Sequence, residues 1–94
     1  MSCILFAQRD ADYFAPKLRA EFPMLNVLTA KDLPEADDRI AEAEVIIANG
    51  HPFNDARLGK AGKLKWIQAM TTGIDAILGS RALRPEVVVT TMRG

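Results

Sequence analysis

Ninety-four residues, 49% apolar and 26% charged, describe one globular domain with a modest hydrophobic core. Twelve acids balance twelve bases, so net charge gives no reason for attraction to nucleic acid or to a membrane surface. A single cysteine excludes an intramolecular disulfide and a zinc cluster, and no apolar run approaches the roughly 18 residues of a membrane span, so a cytoplasmic protein without a metal site is expected. The charge is unevenly spread: nine acids and five bases up to Glu44, then three acids and seven bases. A basic second half mildly favours an anionic ligand there, although charges on a solvated face give the same count.

Cys3-Ile4-Leu5-Phe6-Ala7 reads as a central strand covered on both faces, with Cys3 a buried, inert thiol. Asp10 or Asp12 then caps a helix whose Phe14, Leu18 and Phe22 recur every four residues, with Pro16 in its first turns and Pro23 ending it. Leu25 to Thr29 is a second strand. Asp32-Leu33-Pro34-Glu35 carries helix-start signals, but with little large apolar surface beyond Ile40 the helix is expected to be short. Val45-Ile46-Ile47-Ala48 is a third strand, followed by the loop Asn49-Gly50-His51-Pro52-Phe53 and a weak helix over Asn54 to Ala61. Leu64 to Met70 is a fourth, largely buried strand; Ile74 to Gly79 is a short helix and Val87 to Met92 a fifth strand. Strands alternating with helices at this interval predict a parallel α/β sheet.

In open parallel sheets ligands sit outside the carboxyl ends of the strands. The loops there are Gln8–Asp12, Ala30–Asp32, Asn49–Phe53 and Thr71–Ile74. Two of them carry unusual chemistry. Thr72-Gly73-Ile74-Asp75 reads as a capped helix start whose glycine lets backbone N–H groups approach a small carboxylate or phosphate. Asp75 can take up the same donors, so an ordinary capped helix remains the alternative. The other loop holds His51, the sole histidine, either a ligand contact or a loop residue without chemistry of its own. No Gly-x-Gly-x-x-Gly turn, phosphate-binding loop or nucleophile triad is present, so neither a catalytic group nor a cofactor site is assigned.

Leu64-Lys65-Trp66-Ile67-Gln68 with Thr72-Gly73-Ile74-Asp75 resembles the strand and Gly-Val/Ile-Asp turn of the D-isomer-specific 2-hydroxyacid dehydrogenases, nearest their glyoxylate/hydroxypyruvate reductase branch. Val45 to Phe53 resembles that branch's third strand and substrate loop, and Val87 to Gly94 the strand before the first interdomain crossing. The resemblance implies a flavodoxin-like five-stranded sheet of order 2-1-3-4-5, helices on both faces and the last helix missing. It implies that residues 1–94 are an N-terminal substrate-binding segment. The Rossmann domain that carries NAD or NADP, and the catalytic Arg, Glu and His, have no counterpart in this chain. Thr72, Gly73 and Ile74 match the turn that holds the substrate carboxylate; Asn49, Gly50, His51 and Phe53 match the loop that walls the pocket. The complete enzyme is expected to be a homodimer that interconverts a small 2-oxo acid and its D-2-hydroxy acid by hydride transfer. The segment alone is expected to be inactive, marginally stable or self-associating, with Val87, Val88 and Val89 exposed.

A free-standing flavodoxin-like binding domain is the alternative, as is a receiver-like signalling module. For a receiver, the third strand should end in aspartate and the fifth in lysine; here they end in Asn49 and Met92-Arg93.

Overall fold

Hydrophobic periodicity and turn residues place ten short elements in a computed structural model that describes residues 3–70 and 74–91. In chain order they are β1 (Cys3–Ala7), α1 (Ala11–Glu21), β2 (Asn26–Ala30), 3-10 turns at Pro34–Ala36 and Ile40–Glu42, β3 (Val45–Ala48), α2 (Asp55–Lys60), β4 (Trp66–Ala69), α3 (Asp75–Leu78) and β5 (Val88–Thr91). The five strands form one sheet, order β2-β1-β3-β4-β5, with every neighbouring pair parallel. This is the expected α/β open sheet.

Partners in a parallel sheet share a face, so the register sorts the strands into rows. Leu28, Leu5, Ile46, Ile67 and Val89 form one row of branched aliphatics. Two residues further along, Ala30, Ala7, Ala48, Ala69 and Thr91 form a row of small side chains on the same face. Large side chains give the sheet its bulk near the strand centres. Alanines then let the covering segments approach at the carboxyl ends. That cover comes from Leu33, Ile40, Phe53, Leu58 and Ile77, all in the continuous core.

The opposite face is only partly covered. Its rows are Val27, Ile4, Val45, Trp66, Val88 and Thr29, Phe6, Ile47, Gln68, Thr90. Helix α1 lies over β1 and β2 through Ala11 and Ala15, which are buried, while Phe14 stacks on Phe6 with ring centroids 6.2 Å apart. The expected Phe14–Leu18–Phe22 face is only partly realised: Phe14 reaches the sheet through Phe6 and Leu18 is half-buried, but Phe14 and Phe22 remain 40% and 48% exposed while Ala11 and Ala15 are buried. Between α1 and the sheet lies an apolar groove of about 370 Å³ lined by Phe6, Phe14, Leu18, Ile47 and Met70. Further across, Trp66 is 41% exposed, and its Nε1–H donates to Thr90 Oγ1 (2.8 Å), which in turn donates to Gln68 Oε1. β4 is thus buried on one face only, contrary to the sequence reading.

Other departures have local causes. The segment after Asp32 forms two 3-10 turns instead of an α-helix. Its start is nonetheless capped: Asp32 Oδ1 accepts from the Glu35 amide (3.0 Å) and Glu35 Oε1 from the Lys31 amide (3.1 Å). Leu33, Ala36, Ile40 and Ala43 are the residues that anchor it. Helix α3 opens at Asp75 with Ile74 as its N-cap; the expected capping box of Thr72 with Asp75 lies outside the described residues. Val87 is buried and Val89 partly so, which narrows the expected exposure of the fifth strand to Val88. Cys3 is buried as expected; burial, then Glu42 and Glu44, raise its thiol pKa against the opposing Lys63.

The outer edge of β2 is closed by guanidinium groups. Arg19 donates to the Val27 carbonyl (2.7 Å) and Arg39 to the Thr29 carbonyl (3.0 Å). These occupy acceptors that would otherwise offer an added strand a partner.

Candidate functional site

The strand order makes the carboxyl ends of β1 and β3 the topological switch point, where open parallel sheets bind ligands. Residues immediately past those strands meet there: Gln8 Nε2 donates to Asn49 Oδ1 at 2.8 Å, between partly buried side chains 41 positions apart. Around this amide pair, Arg9, Lys31, Asp32 and His51 line a crevice of about 530 Å³. His51 stands exposed at its rim. It sits on a tight turn in which the Phe53 amide donates to the Gly50 carbonyl (3.2 Å).

The same turn sends Phe53 the other way. Its ring is 3% exposed, sits in the core, and lines a separate recess with Asn54, Asp55, Ala76 and Ser80. There Asn54 caps α2 by accepting from the Arg57 amide (2.8 Å), and Ser80 Oγ donates to Asp55 Oδ1 (2.5 Å). Gly50 is buried beneath the turn. Ile74 is partly buried, packs against the core, and accepts from the Ile77 and Leu78 amides (3.0 Å each). Thr72 and Gly73 lie outside the described residues. The loop residues anticipated as one wall are thus divided: Asn49 and His51 face the switch-point crevice and Phe53 supports the turn from below.

Sequence reasoning did not single out Gln8, Arg9 or Lys31. Their signal was positional: all three sit on loops at strand carboxyl ends, and adjacency in the sheet brings them to Asn49. Among the described residues no group of three or more His, Cys, Asp or Glu could hold a metal ion, and no helix is long and apolar enough to cross a membrane.

No protein-family model and no curated protein matches the chain. A solved structure does: a D-isomer specific 2-hydroxyacid dehydrogenase family protein from Aeromonas salmonicida subsp. salmonicida A449. It is 30% identical over 99% of this chain, with a TM-score of 0.80. The likeness is to the D-isomer-specific 2-hydroxyacid dehydrogenases. The chain spans 30% of that dehydrogenase family protein's length. The match therefore concerns one part of that protein. In this chain the match spans the open sheet whose strand ends carry the switch-point crevice.

Proposed function

We propose that the chain is the substrate-side domain of an NAD(P)-dependent D-2-hydroxyacid dehydrogenase acting on a small 2-oxo acid. The observation that carries this reading is the match along 99% of the chain to a dehydrogenase family protein. The Leu-Lys-Trp-Ile-Gln and Gly-Ile-Asp segments, which resemble the glyoxylate/hydroxypyruvate reductase branch, support it further. In this reading the backbone at Thr72, Gly73 and Ile74 receives the substrate carboxylate. Asn49, Gly50 and His51 border the substrate from the adjacent strand end, with Phe53 holding their turn in place. Holding a reactant in attack geometry lowers a barrier by several kcal/mol, on the order of what well-oriented intramolecular reactions show. The chain's own contribution is this positioning.

The hydride donor, NAD or NADP, and the groups that polarise the carbonyl and protonate the alkoxide come from a Rossmann domain elsewhere in the enzyme. That enzyme is proposed to be a cytoplasmic homodimer. This chain by itself binds no nicotinamide and reduces neither glyoxylate nor hydroxypyruvate.

The test is a chimaera in which residues 1–94 replace the matching part of the Aeromonas protein. Reduction of glyoxylate or hydroxypyruvate with NADH or NADPH, weakened by Gly73→Val, is the expected result. A folded chimaera that binds nicotinamide yet turns over no 2-oxo acid overturns the proposal.

A further inference from the structure

In the turn after β3 only His51 is exposed; Asn49 and Pro52 are partly buried, and Gly50 and Phe53 are buried. The turn is held at three points. Asn49 is tied to Gln8, Phe53 is seated in the core, and the Pro52 carbonyl accepts from an Arg57 Nη at 2.6 Å. The third hold lies next to His51. The pyrrolidine ring sets φ of Pro52 and restricts the residue before it, and the bond to Arg57 then fixes the direction of its carbonyl. Arg57 meets the same stretch a second time: its amide donates to Asn54 Oδ1 at 2.8 Å, so one residue holds the chain on either side of Phe53. The guanidinium is itself aimed, because Nε and the other Nη form a fork on the two carboxylate oxygens of Asp37. Asp37 follows the fully buried Ala36 and lies between Leu33 and Ile40, each 1% exposed. The fork thus refers the turn to the core. A lysine offers a point charge and cannot serve the carboxylate fork and the carbonyl together.

We propose that Arg57 is a positioning residue for the substrate: its guanidinium, aimed by Asp37, fixes the turn that carries His51 at the rim of the switch-point crevice. This rests on the substrate-domain reading, in which Asn49, Gly50 and His51 border the 2-oxo acid. Arg57 does not line the crevice; it acts through the Pro52 carbonyl. A wall fixed before the substrate arrives adds no ordering cost to binding, whereas a loosened wall must be ordered each time. Loss of the hold therefore weakens substrate binding and leaves the hydride step alone.

Two measurements test this. Amide hydrogen exchange on the 94-residue chain reads the turn through the Phe53 amide, which donates to the Gly50 carbonyl; the Met70 amide, which donates to the Ala48 carbonyl, is the control. In Arg57→Leu the Phe53 amide is expected to exchange about tenfold faster, well beyond any change at Met70, with a smaller effect in Asp37→Asn. An acceleration at Phe53 no greater than that at Met70 overturns the proposal, because Arg57 would then serve the fold as a whole. In the chimaera, Arg57→Leu should raise KM for hydroxypyruvate about tenfold while kcat and KM for the nicotinamide stay within about twofold, and Arg57→Lys should recover only part of the loss. An unchanged KM for hydroxypyruvate in Arg57→Leu overturns the assignment whatever kcat does. Should Arg57→Leu fail to fold, Arg57→Lys and Asp37→Asn carry both measurements. If the unsubstituted chimaera binds nicotinamide but reduces no 2-oxo acid, the substrate-domain reading falls, and the exchange comparison still decides whether Arg57 fixes the turn.

Discussion

Arg57 grips Asp37 with both arms of its guanidinium, Nε to Oδ1 at 2.7 Å and an Nη to Oδ2 at 3.1 Å, while its other Nη donates to the Pro52 carbonyl at 2.6 Å. One side chain thus ties α2, the 3-10 segment and the His51 turn together. The pairing holds the Asp37 carboxyl below its usual pKa, chiefly through the hydrogen bond from Arg57, and raises that of Arg57. The carboxylate is 39% exposed, so solvent screening limits its contribution to about 1 kcal/mol.

Asp37→Asn is therefore expected to lower stability by about that amount. Because the folded-state pKa is depressed, the contribution is fully present above the ordinary carboxylate range near pH 4. It is lost as pH falls through the folded value. Denaturant melts of the native chain and of Asp37→Asn should differ at pH 7 and converge once the pH has fallen below the depressed folded-state value. An undiminished difference at low pH would contradict this account.

The alanine row at the carboxyl ends of the strands makes Ala48 intolerant of size. Ala48 is fully buried between Ala7 and Ala69 and faces the covering segments. Ala48→Leu should cost about 1–3 kcal/mol by overpacking and displace the His51 turn. Ile46→Val, one row back, should cost only about 0.5–1.5 kcal/mol. Urea denaturation of both variants checks the order.

In the chimaera, His51→Ala is expected to change the ranking of 2-oxo acids while leaving the basic limb of the pH–rate profile in place. His51 is exposed at a crevice rim, and no hydrogen bond from its ring to a described residue orients it as an acid would require. Loss of the basic limb in that variant would make His51 the proton donor.

The half-covered sheet face predicts association. Trp66 and Val88 lie side by side on it, 41% and 56% exposed, beside the groove under α1, whereas the β2 edge is blocked by Arg19 and Arg39. Light scattering should show concentration-dependent self-association of the chain that Val88→Lys reduces and Arg19→Lys leaves unchanged. A monomer at millimolar concentration with a cooperative melt above about 65 °C would rule this out.

The strand positions were legible because runs such as Val45–Ala48 have a single physical reading: short, β-branched and bounded by turns; the sheet order was legible only through the family resemblance, because such runs do not say which strands are neighbours. Helices were less legible. Phe14 and Phe22 have helical spacing, but spacing does not say how deeply either is buried, or that Ala11 and Ala15 are the fully buried residues of the helix. The candidate site was half legible. Asn49 and His51 carry suggestive chemistry within one loop. Gln8, Arg9 and Lys31 acquire theirs only when β1, flanked by β2 and β3, assembles three distant loops. Nor does the sequence of Asn49–Phe53 reveal that its turn aims His51 outward and Phe53 inward.

The buried thiol of Cys3 gives the chain a built-in reporter. Its carbonyl accepts from the Glu44 amide (2.9 Å), so the sulfur sits at the first rung of β1, an interior strand. Burial and the two neighbouring glutamates keep it in the unreactive protonated form. A thiol-modifying reagent therefore reacts appreciably only when that rung opens, and with one cysteine in the sequence every labelling event comes from the same place. The labelling rate measures how often the amino-terminal end of β1 separates from its neighbours, without an added probe.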